Sequence, residues 1–330
     1  MNTSKDLKKN KRCCVCGRPV FSVHSMFCQT HARVAFRMKA RRFPPEAVEG
    51  VWDYLRANGD RCFYTKLPLE MEDIRSPWFC VFDHLIPLDP RRIVVTCALV
   101  NEMKTALSVR EFWYYVQQLA DFIDKGKKIK KIKLAYWRQN IEVLKGTLLK
   151  GTVPLRSRGQ SPSAVSLKSE GLFSLVRGQS PSAASVKGKK CDLCGRPVFN
   201  IRSKYCRGCS HFAHRLEMQR FDKKVIQEIL DYVRRWGFRC FYTGMLLDIS
   251  DFRSPWYVVF DCLTPGDRSR IVLTSALFNE MKSDLSIKEF WYYIRQLANY
   301  KRKHTKIRKK KLVYWFRLTL KELHLKSLRD

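Results

Sequence analysis

The stretch WFCVFDHLIP at residues 78–87 has a counterpart, WYVVFDCLTP, at residues 256–265. Both begin with aromatic and aliphatic residues, a composition that predicts a short buried strand. Each strand ends in an aspartate, Asp83 or Asp261, but the next residue is His84 in one and Cys262 in the other. The pair therefore raises two questions: whether a whole unit is repeated, and what chemistry would need the histidine only once.

A constant offset of 178 residues relates the two halves of the chain, as Cys13 to Cys191 and Trp137 to Trp315 show. No insertion interrupts this offset, so we interpret the halves as a first and a second copy of one duplicated unit of about 140 residues, an ordinary domain size. We expect residues 1–146 to form the first copy and residues 190–330 the second.

Residues 147–189 lie between the copies and are rich in Ser, Gly and Lys, with the motif RGQSPSA at 158–164 and again at 177–183. This composition predicts a flexible linker. The alternative is a basic segment that also contacts a phosphate backbone.

The same order of elements is predicted in each copy. A cysteine cluster comes first, followed in the first copy by the helical stripe of PPEAVEGVWDYLRANG, which Gly59 ends. RCFYTKLPLEM predicts a strand and turn, WFCVFDHLIP and RIVVTC predict two strands, and NEMKTALSVREFWYYVQQLADF predicts a helix broken near Ser108. We expect a basic helix to close each copy, KKIKKIKLAYWRQNIEVLK in the first and KRKHTKIRKKKLVYWFRLTLKELHLK in the second.

The bulk composition points to a polyanionic partner. The 330 residues carry a formal net charge of +34, and 45% of them are hydrophobic. Such self-repulsion favours nucleic acid as the partner, with an anionic membrane surface as the competing interpretation. No apolar run could span a bilayer, and our prediction is a protein without a membrane partner. The N-terminus has no secretory signal, and thirteen cysteines without one indicate thiols and metal ligands. We expect an intracellular location, cytoplasmic or in the nucleoid, with an organelle as a further option.

Two cysteine clusters have the spacing of structural zinc sites. In each, two close ligand pairs are separated by a loop of eleven residues, and the fourth ligand is histidine in one and cysteine in the other. Zinc accepts either group, whereas a set of buried reduced thiols, the alternative, would not predict that exchange. The predicted ligands of two structural Zn²⁺ ions are Cys13, Cys16, Cys28 and His31, and Cys191, Cys194, Cys206 and Cys209.

A second constellation surrounds the strand end at Asp83 and His84. Asn101 follows His84 by seventeen residues, at the start of a predicted helix, and Lys104 lies on that helix. Carboxylate and amide oxygens suit Mg²⁺, and a neutral imidazole can accept a proton from water near neutral pH.

The stretch CFYT…WFCVFDHLIP…RRIVVTCALVNEMKTAL resembles the HNH endonucleases, the ββα-metal nuclease family, over about residues 60–108 and 238–286. The resemblance implies an HNH-like ββα unit and does not cover the cysteine clusters. Together with the duplication and the clusters, it predicts an α+β fold of two tandem repeats, each a small zinc-binding module followed by helices and an HNH-like ββα unit. It implies that Asp83 and Asn101 bind a catalytic Mg²⁺ or another divalent ion and that His84 is the general base. Lys104 is a further candidate for the site because it follows Asn101 in an Asn-x2-Lys pattern. Where the family usually carries an asparagine before the second strand, this chain has Arg92.

The second copy keeps three of the four corresponding residues, Asp261, Asn279 and Lys282, and has Cys262 in place of the histidine. We interpret these four residues as a degenerate site that serves in binding. A thiol, with an ordinary pKa of about 8.5, is a poor base at neutral pH.

Dense basic runs near the end of each copy are predicted to bind phosphates. These residues are Lys127, Lys128, Lys130, Lys131 and Lys133, with Lys301, Arg302, Lys303, Lys306, Arg308, Lys309, Lys310 and Lys311. The leading hypothesis is an HNH-type endonuclease that nicks DNA as a monomer acting as an internal pseudo-dimer. The alternatives are a non-catalytic zinc protein that binds DNA or structured RNA and keeps a nuclease-like fold, and a scaffold that docks on a nucleoprotein.

Overall fold

A computed structural model describes residues 11–87, 89–137, 188–198 and 200–310, together with residues 312 and 315. Among these residues the fold is mixed α/β and contains helices, two separate two-stranded sheets and two cysteine-rich clusters. The chain divides into two compact units. One comprises Met1–Asn140 together with Phe238–Asp330, and the other comprises Ile141–Gly237. The predicted copy boundaries stay predictions, and most of the predicted linker, including both RGQSPSA motifs, lies outside the described residues.

Two helices precede the first sheet. Helix α1 spans Gln29–Ala40, and helix α2 spans Pro45–Asn58, as the apolar stripe predicts. Proline suits the first turn of α2, which lacks intrahelical partners for its N–H groups, and Gly59 follows the last turn with φ +67°. The buried face of α2, which includes Val51 and Leu55, packs against the second strand of the sheet.

The first sheet consists of β1, Cys80–His84, paired antiparallel with β2, Ile93–Cys97. Helix α3, Ala98–Lys104, begins directly after β2 and contacts both strands. Helix α4, Val109–Lys125, follows a capping box in which Ser108 and the helix exchange hydrogen bonds. The predicted helix break near Ser108 is confirmed, and the order of these elements is β, β, α.

The later elements repeat this order. They are α5 (Arg207–Met218) and α6 (Lys223–Trp236) in one compact unit, and β3 (Val258–Cys262), β4 (Ile271–Ser275), α7 (Ala276–Lys282) and α8 (Ile287–Lys303) in the other. The strand pairing also corresponds: Asp83 faces Val94 across the first sheet, and Asp261 faces Val272 across the second. No helix among the described residues is long and apolar enough to cross a membrane.

The prediction that the basic segments are helices is wrong for the described residues 127–137 and 304–310, which contain no helix, whereas residues 301–303 form the end of α8. Helix α4 ends at Lys125 because Gly126 adopts the left-handed conformation. Side chains of α4 then accept hydrogen bonds from backbone N–H groups of the basic segment, which in a helix would bond to backbone carbonyls. Gln118 accepts from Lys130 N at 3.2 Å, and the Tyr115 hydroxyl accepts from Ile132 N at 3.1 Å.

The predicted strand in RCFYTKLPLEM is also absent. Residues 61–68 form a turn closed by an isolated bridge between Arg61 and Pro68. Lys66 within the turn has φ +53°, a left-handed conformation that a continuous strand cannot include.

Within the unit that contains both sheets, aromatic contacts between the copies are reciprocal. The rings of Trp78 and Tyr293 lie 5.7 Å apart, and those of Trp256 and Tyr115, the corresponding residues, lie 5.6 Å apart. The Lys309 ammonium lies 5.1 Å from the centroid of Trp78, and that of Lys131 lies 5.4 Å from the centroid of Trp256.

Polar contacts follow the same reciprocal pattern. Thr105 donates to Glu280 at 2.7 Å, and Ser283, which corresponds to Thr105, donates to Glu102 at 3.2 Å. Exchanging the roles of two residues that are 178 positions apart therefore converts one contact into the other, as in an isologous interface.

Candidate functional site

The first cysteine cluster brings all four predicted ligands together. The ligand atoms of Cys13, Cys16, Cys28 and His31 all lie within 4.8 Å of one another. The Cys16 and Cys28 sulfurs are 3.8 Å apart, and His31 Nδ1 lies 3.3 Å from the Cys28 sulfur. A tetrahedral zinc with Zn–S bonds of about 2.3 Å requires sulfurs about 3.8 Å apart, so the donor set fits this ion.

Asp60 fixes the orientation of the histidine ligand, a role that sequence reasoning missed. Its Oδ1 lies 2.9 Å from His31 Nε2, while its Oδ2 accepts from Arg18 at 3.4 Å. A carboxylate on the far nitrogen of a ligating imidazole sets the tautomer and directs the other nitrogen at the metal. The sequence contains a signal for this pair, because the second copy has Phe238 in place of Asp60 and Cys209 in place of His31.

The second cluster also brings its four predicted ligands within 4.8 Å of one another, here as four cysteines. The Cys194 and Cys206 sulfurs lie 3.5 Å apart, and Cys209 is fully buried. Both clusters have four protein ligands, the number that a closed structural zinc site uses.

Asp83 is held from both sides in the interior of the first ββα arrangement. The Tyr64 hydroxyl donates to Oδ2, and the Lys104 ammonium donates to Oδ1 at 3.2 Å. Lys104 also donates to the backbone oxygen of His84 at 3.1 Å, so it ties α3 to the end of β1. Burial raises the pKa of Asp83, and the positive charge of Lys104 opposes that effect. The Lys104 side chain is only 1% exposed.

His84 lies on the opposite face of β1, because successive residues of a strand point to opposite sides. It is half-buried, and burial lowers its pKa, although the charge of Asp83 opposes this shift. The imidazole is therefore neutral at pH 7 and able to accept a proton. Phe82 shares this face, and the Arg41 guanidinium lies 5.6 Å from the centroid of its ring. Sequence reasoning did not single out Arg41.

Asn101 lies one turn before Lys104 on α3, at a spacing that places both on the same helix face. Lys104 contacts Asp83, whereas among the described residues the Asn101 side chain makes no hydrogen bond to Asp83 or His84, so the helix spacing alone relates Asn101 to this strand end. The donor types, a carboxylate and an amide oxygen, fit Mg²⁺. An ionised carboxylate has about four lone-pair positions, and Tyr64 and Lys104 use two of those on Asp83.

The second copy has the same buried arrangement without the histidine. The Tyr242 hydroxyl donates to Asp261 Oδ2, and Lys282 donates to Asp261 Oδ1 at 3.1 Å. Lys282 also donates to the Cys262 backbone oxygen at 3.3 Å. Burial and then the charge of Asp261 raise the pKa of the Cys262 thiol, so it stays protonated at neutral pH, where the His84 imidazole is a neutral proton acceptor.

The structure separates the predicted phosphate-binding residues into two groups. Several make contacts within the protein: Lys131 donates to the Leu246 carbonyl at 2.6 Å, Lys309 to the Pro68 carbonyl at 3.2 Å, and Arg302 to Asp121 at 2.8 Å. Lys301 lies over the Trp113 ring and Lys310 over the Tyr292 ring. Lys311 lies outside the described residues. The remaining predicted phosphate-binding residues are exposed: Lys127, Lys128, Lys130, Lys133, Lys303, Lys306 and Arg308.

The chain matches no protein-family model, no curated protein and no solved structure.

Proposed function

We propose that the protein is an HNH-type, metal-dependent DNA endonuclease built from two tandem copies, of which the first nicks one strand and the second mainly binds. The observation that carries this proposal is the ββα arrangement at Asp83 and His84. Strand β1 ends at His84, Lys104 of α3 contacts this strand end, and Asn101 lies one turn earlier on the same helix. These are the residue types that metal-dependent hydrolysis of a phosphodiester needs.

In this proposal His84 is the general base, because its imidazole is neutral and half-buried at the strand end. It accepts a proton from the attacking water. Asp83 and Asn101 would hold the Mg²⁺ ion, which, when bound, stabilises the negative charge that develops on the phosphate. Tyr64 and Lys104 fix the position of the Asp83 carboxylate.

The second copy contributes affinity in this account. It keeps the fold of its site through Tyr242, Asp261 and Lys282 but lacks a base at Cys262. The net charge of +34 supplies the attraction to a polyanion, with exposed residues such as Lys127 and Lys306 available to phosphates.

A specific observation favours a second candidate function, a non-catalytic zinc protein that binds DNA or structured RNA. The buried Tyr–Asp–Lys arrangement has the same hydrogen bonds in both copies, although only one copy has the histidine. The arrangement therefore stabilises the fold irrespective of catalysis, and its presence around Asp83 is equally compatible with binding alone.

Incubation with supercoiled plasmid in Mg²⁺, with EDTA in place of Mg²⁺ as the control, separates the two candidates. The nuclease proposal expects nicked plasmid with Mg²⁺ and none with EDTA. Gel shifts on duplex DNA and on folded RNA, run on the same preparation, then identify the preferred partner. Tight binding without cleavage in Mg²⁺ or Mn²⁺ would leave only the second candidate.

A further inference from the structure

The contact between α4 and α8 joins the two copies through charged and polar side chains. Arg302 bonds to Asp121 and Arg295 bonds to Asp124, each at 2.8 Å. Gln117 of α4 donates to the backbone oxygen of Ala298 on α8 at 3.3 Å. The two ion pairs are not reciprocal between the copies, because α4 supplies both carboxylates and α8 supplies both guanidinium groups.

The residues at corresponding positions of α4 and α8 explain why the ion pairs are not reciprocal. Gln117 corresponds to Arg295, Asp121 to Asn299, and Asp124 to Arg302. Over these three positions α4 therefore carries a charge of −2 and α8 a charge of +2. The duplicated unit has diverged to opposite charge at the place where its copies meet.

The paired aromatic contacts between the copies do not have this asymmetry. The reciprocal pairs Trp78–Tyr293 and Trp256–Tyr115 join the same residue types in both directions. Such a surface is self-complementary, so on its own it would also accept two first copies or two second copies. The three α4 and α8 positions carry opposite charges in the two copies, so they distinguish a mixed pair from a like pair.

Pairing of like copies would place equal charges in contact. Two first copies would bring Asp124 of one against Asp121 of the other. Two second copies would bring Arg295 of one against Arg302 of the other. We propose that these charges on α4 and α8 form a specificity code that selects the opposite copy as the partner and rejects the same copy of another chain. Opposed charges set partner choice in coiled coils in the same way.

The test reverses the code in the full-length chain. An acidic variant, Arg295→Asp with Arg302→Asp, makes α8 as acidic as α4. An exchange variant adds Asp121→Arg and Asp124→Arg, which restores opposite charges with their direction inverted. The charge-matched control is Lys223→Asp with Lys224→Asp, on exposed positions of α6.

We expect the melting temperature of the acidic variant to fall on the order of 5 °C and the exchange variant to recover most of that loss. The loss of melting temperature in the acidic variant should shrink in 1 M salt, which screens partly exposed charges. The control variant should show neither this loss nor a dependence of it on salt. The proposal is overturned if the exchange variant melts no higher than the acidic one, or if the acidic variant melts like the control. If the acidic variant does not fold, folding of the exchange variant supports the code, and its failure to fold also overturns it.

Discussion

Replacing Lys104 with methionine tests how the Asp83 carboxylate is held. The Lys104 side chain is 1% exposed and that of Asp83 is 8% exposed, so their ion pair is shielded from solvent. Removing one partner of a buried pair leaves an uncompensated charge, at a cost of about 3–5 kcal/mol. Exposed pairs contribute only about 0.2–1 kcal/mol. Lys104→Met should therefore lower the free energy of unfolding severalfold more than loss of a surface ion pair.

A double-mutant cycle isolates the ion pair from the general loss of packing. Adding Asp83→Asn to Lys104→Met removes both charges, so it should recover much of the lost stability. Lys282→Met should cost a similar amount, because its ammonium donates to Asp261 and to the Cys262 backbone oxygen as that of Lys104 does to Asp83 and His84. Urea unfolding with zinc retained is the assay, and an unchanged m-value shows that the same surface unfolds.

The loss of unfolding free energy in Lys104→Met should depend on pH in a direction that the pKa of Asp83 determines. Burial already raises the pKa of Asp83, and loss of Lys104 raises it further. A carboxyl group whose folded pKa exceeds its unfolded value loses stability as pH rises between the two. The deficit of Lys104→Met should therefore be largest at neutral pH and shrink as pH falls toward the ordinary aspartate pKa. A loss below about 1 kcal/mol at pH 7, or one that Asp83→Asn does not relieve, would refute the reasoning.

Metal analysis of the purified protein should find two zinc ions per chain, and a value near zero would remove both clusters as zinc sites. Asp60→Ala should weaken zinc binding at the cluster of His31 by about 10–100-fold. One zinc should then leave to a chelator faster than the other, whereas equal release would contradict the role of Asp60. Lys127→Gln with Lys128→Gln should lower the salt slope of duplex binding by about 2 if both contact phosphates. Cys262→His should add a second strand cut, and unchanged products would mean that the second copy has lost more than its base.

Local patterns in the sequence predict the elements that depend on neighbouring residues. The apolar stripe and Gly59 define α2, and Ser108 marks the break before α4. The spacing of the metal ligands identifies both clusters because zinc imposes its own geometry on two close pairs. The fold around the candidate site could be predicted to this extent from local signals.

Tertiary contacts determine what the sequence alone could not show. The basic segment after Gly126 has the composition of a helix, but Gln118 and Tyr115 of α4 accept its backbone hydrogen bonds. Lys131 lies in a run that is typical of a phosphate-binding surface, yet it donates to a carbonyl of the other copy. The contact of Tyr64 with Asp83 joins residues nineteen positions apart, and no local period relates them.

The central claim is that His84 gives the first copy a single cleavage site. A time course on supercoiled plasmid with Mg²⁺, comparing wild type with His84→Ala at sub-stoichiometric protein, tests it directly. We predict that wild type accumulates nicked circles before any linear DNA, and that His84→Ala gives neither product while binding DNA with nearly unchanged affinity. Equal cleavage by the two proteins, or linear DNA from wild type without a nicked intermediate, would contradict the claim.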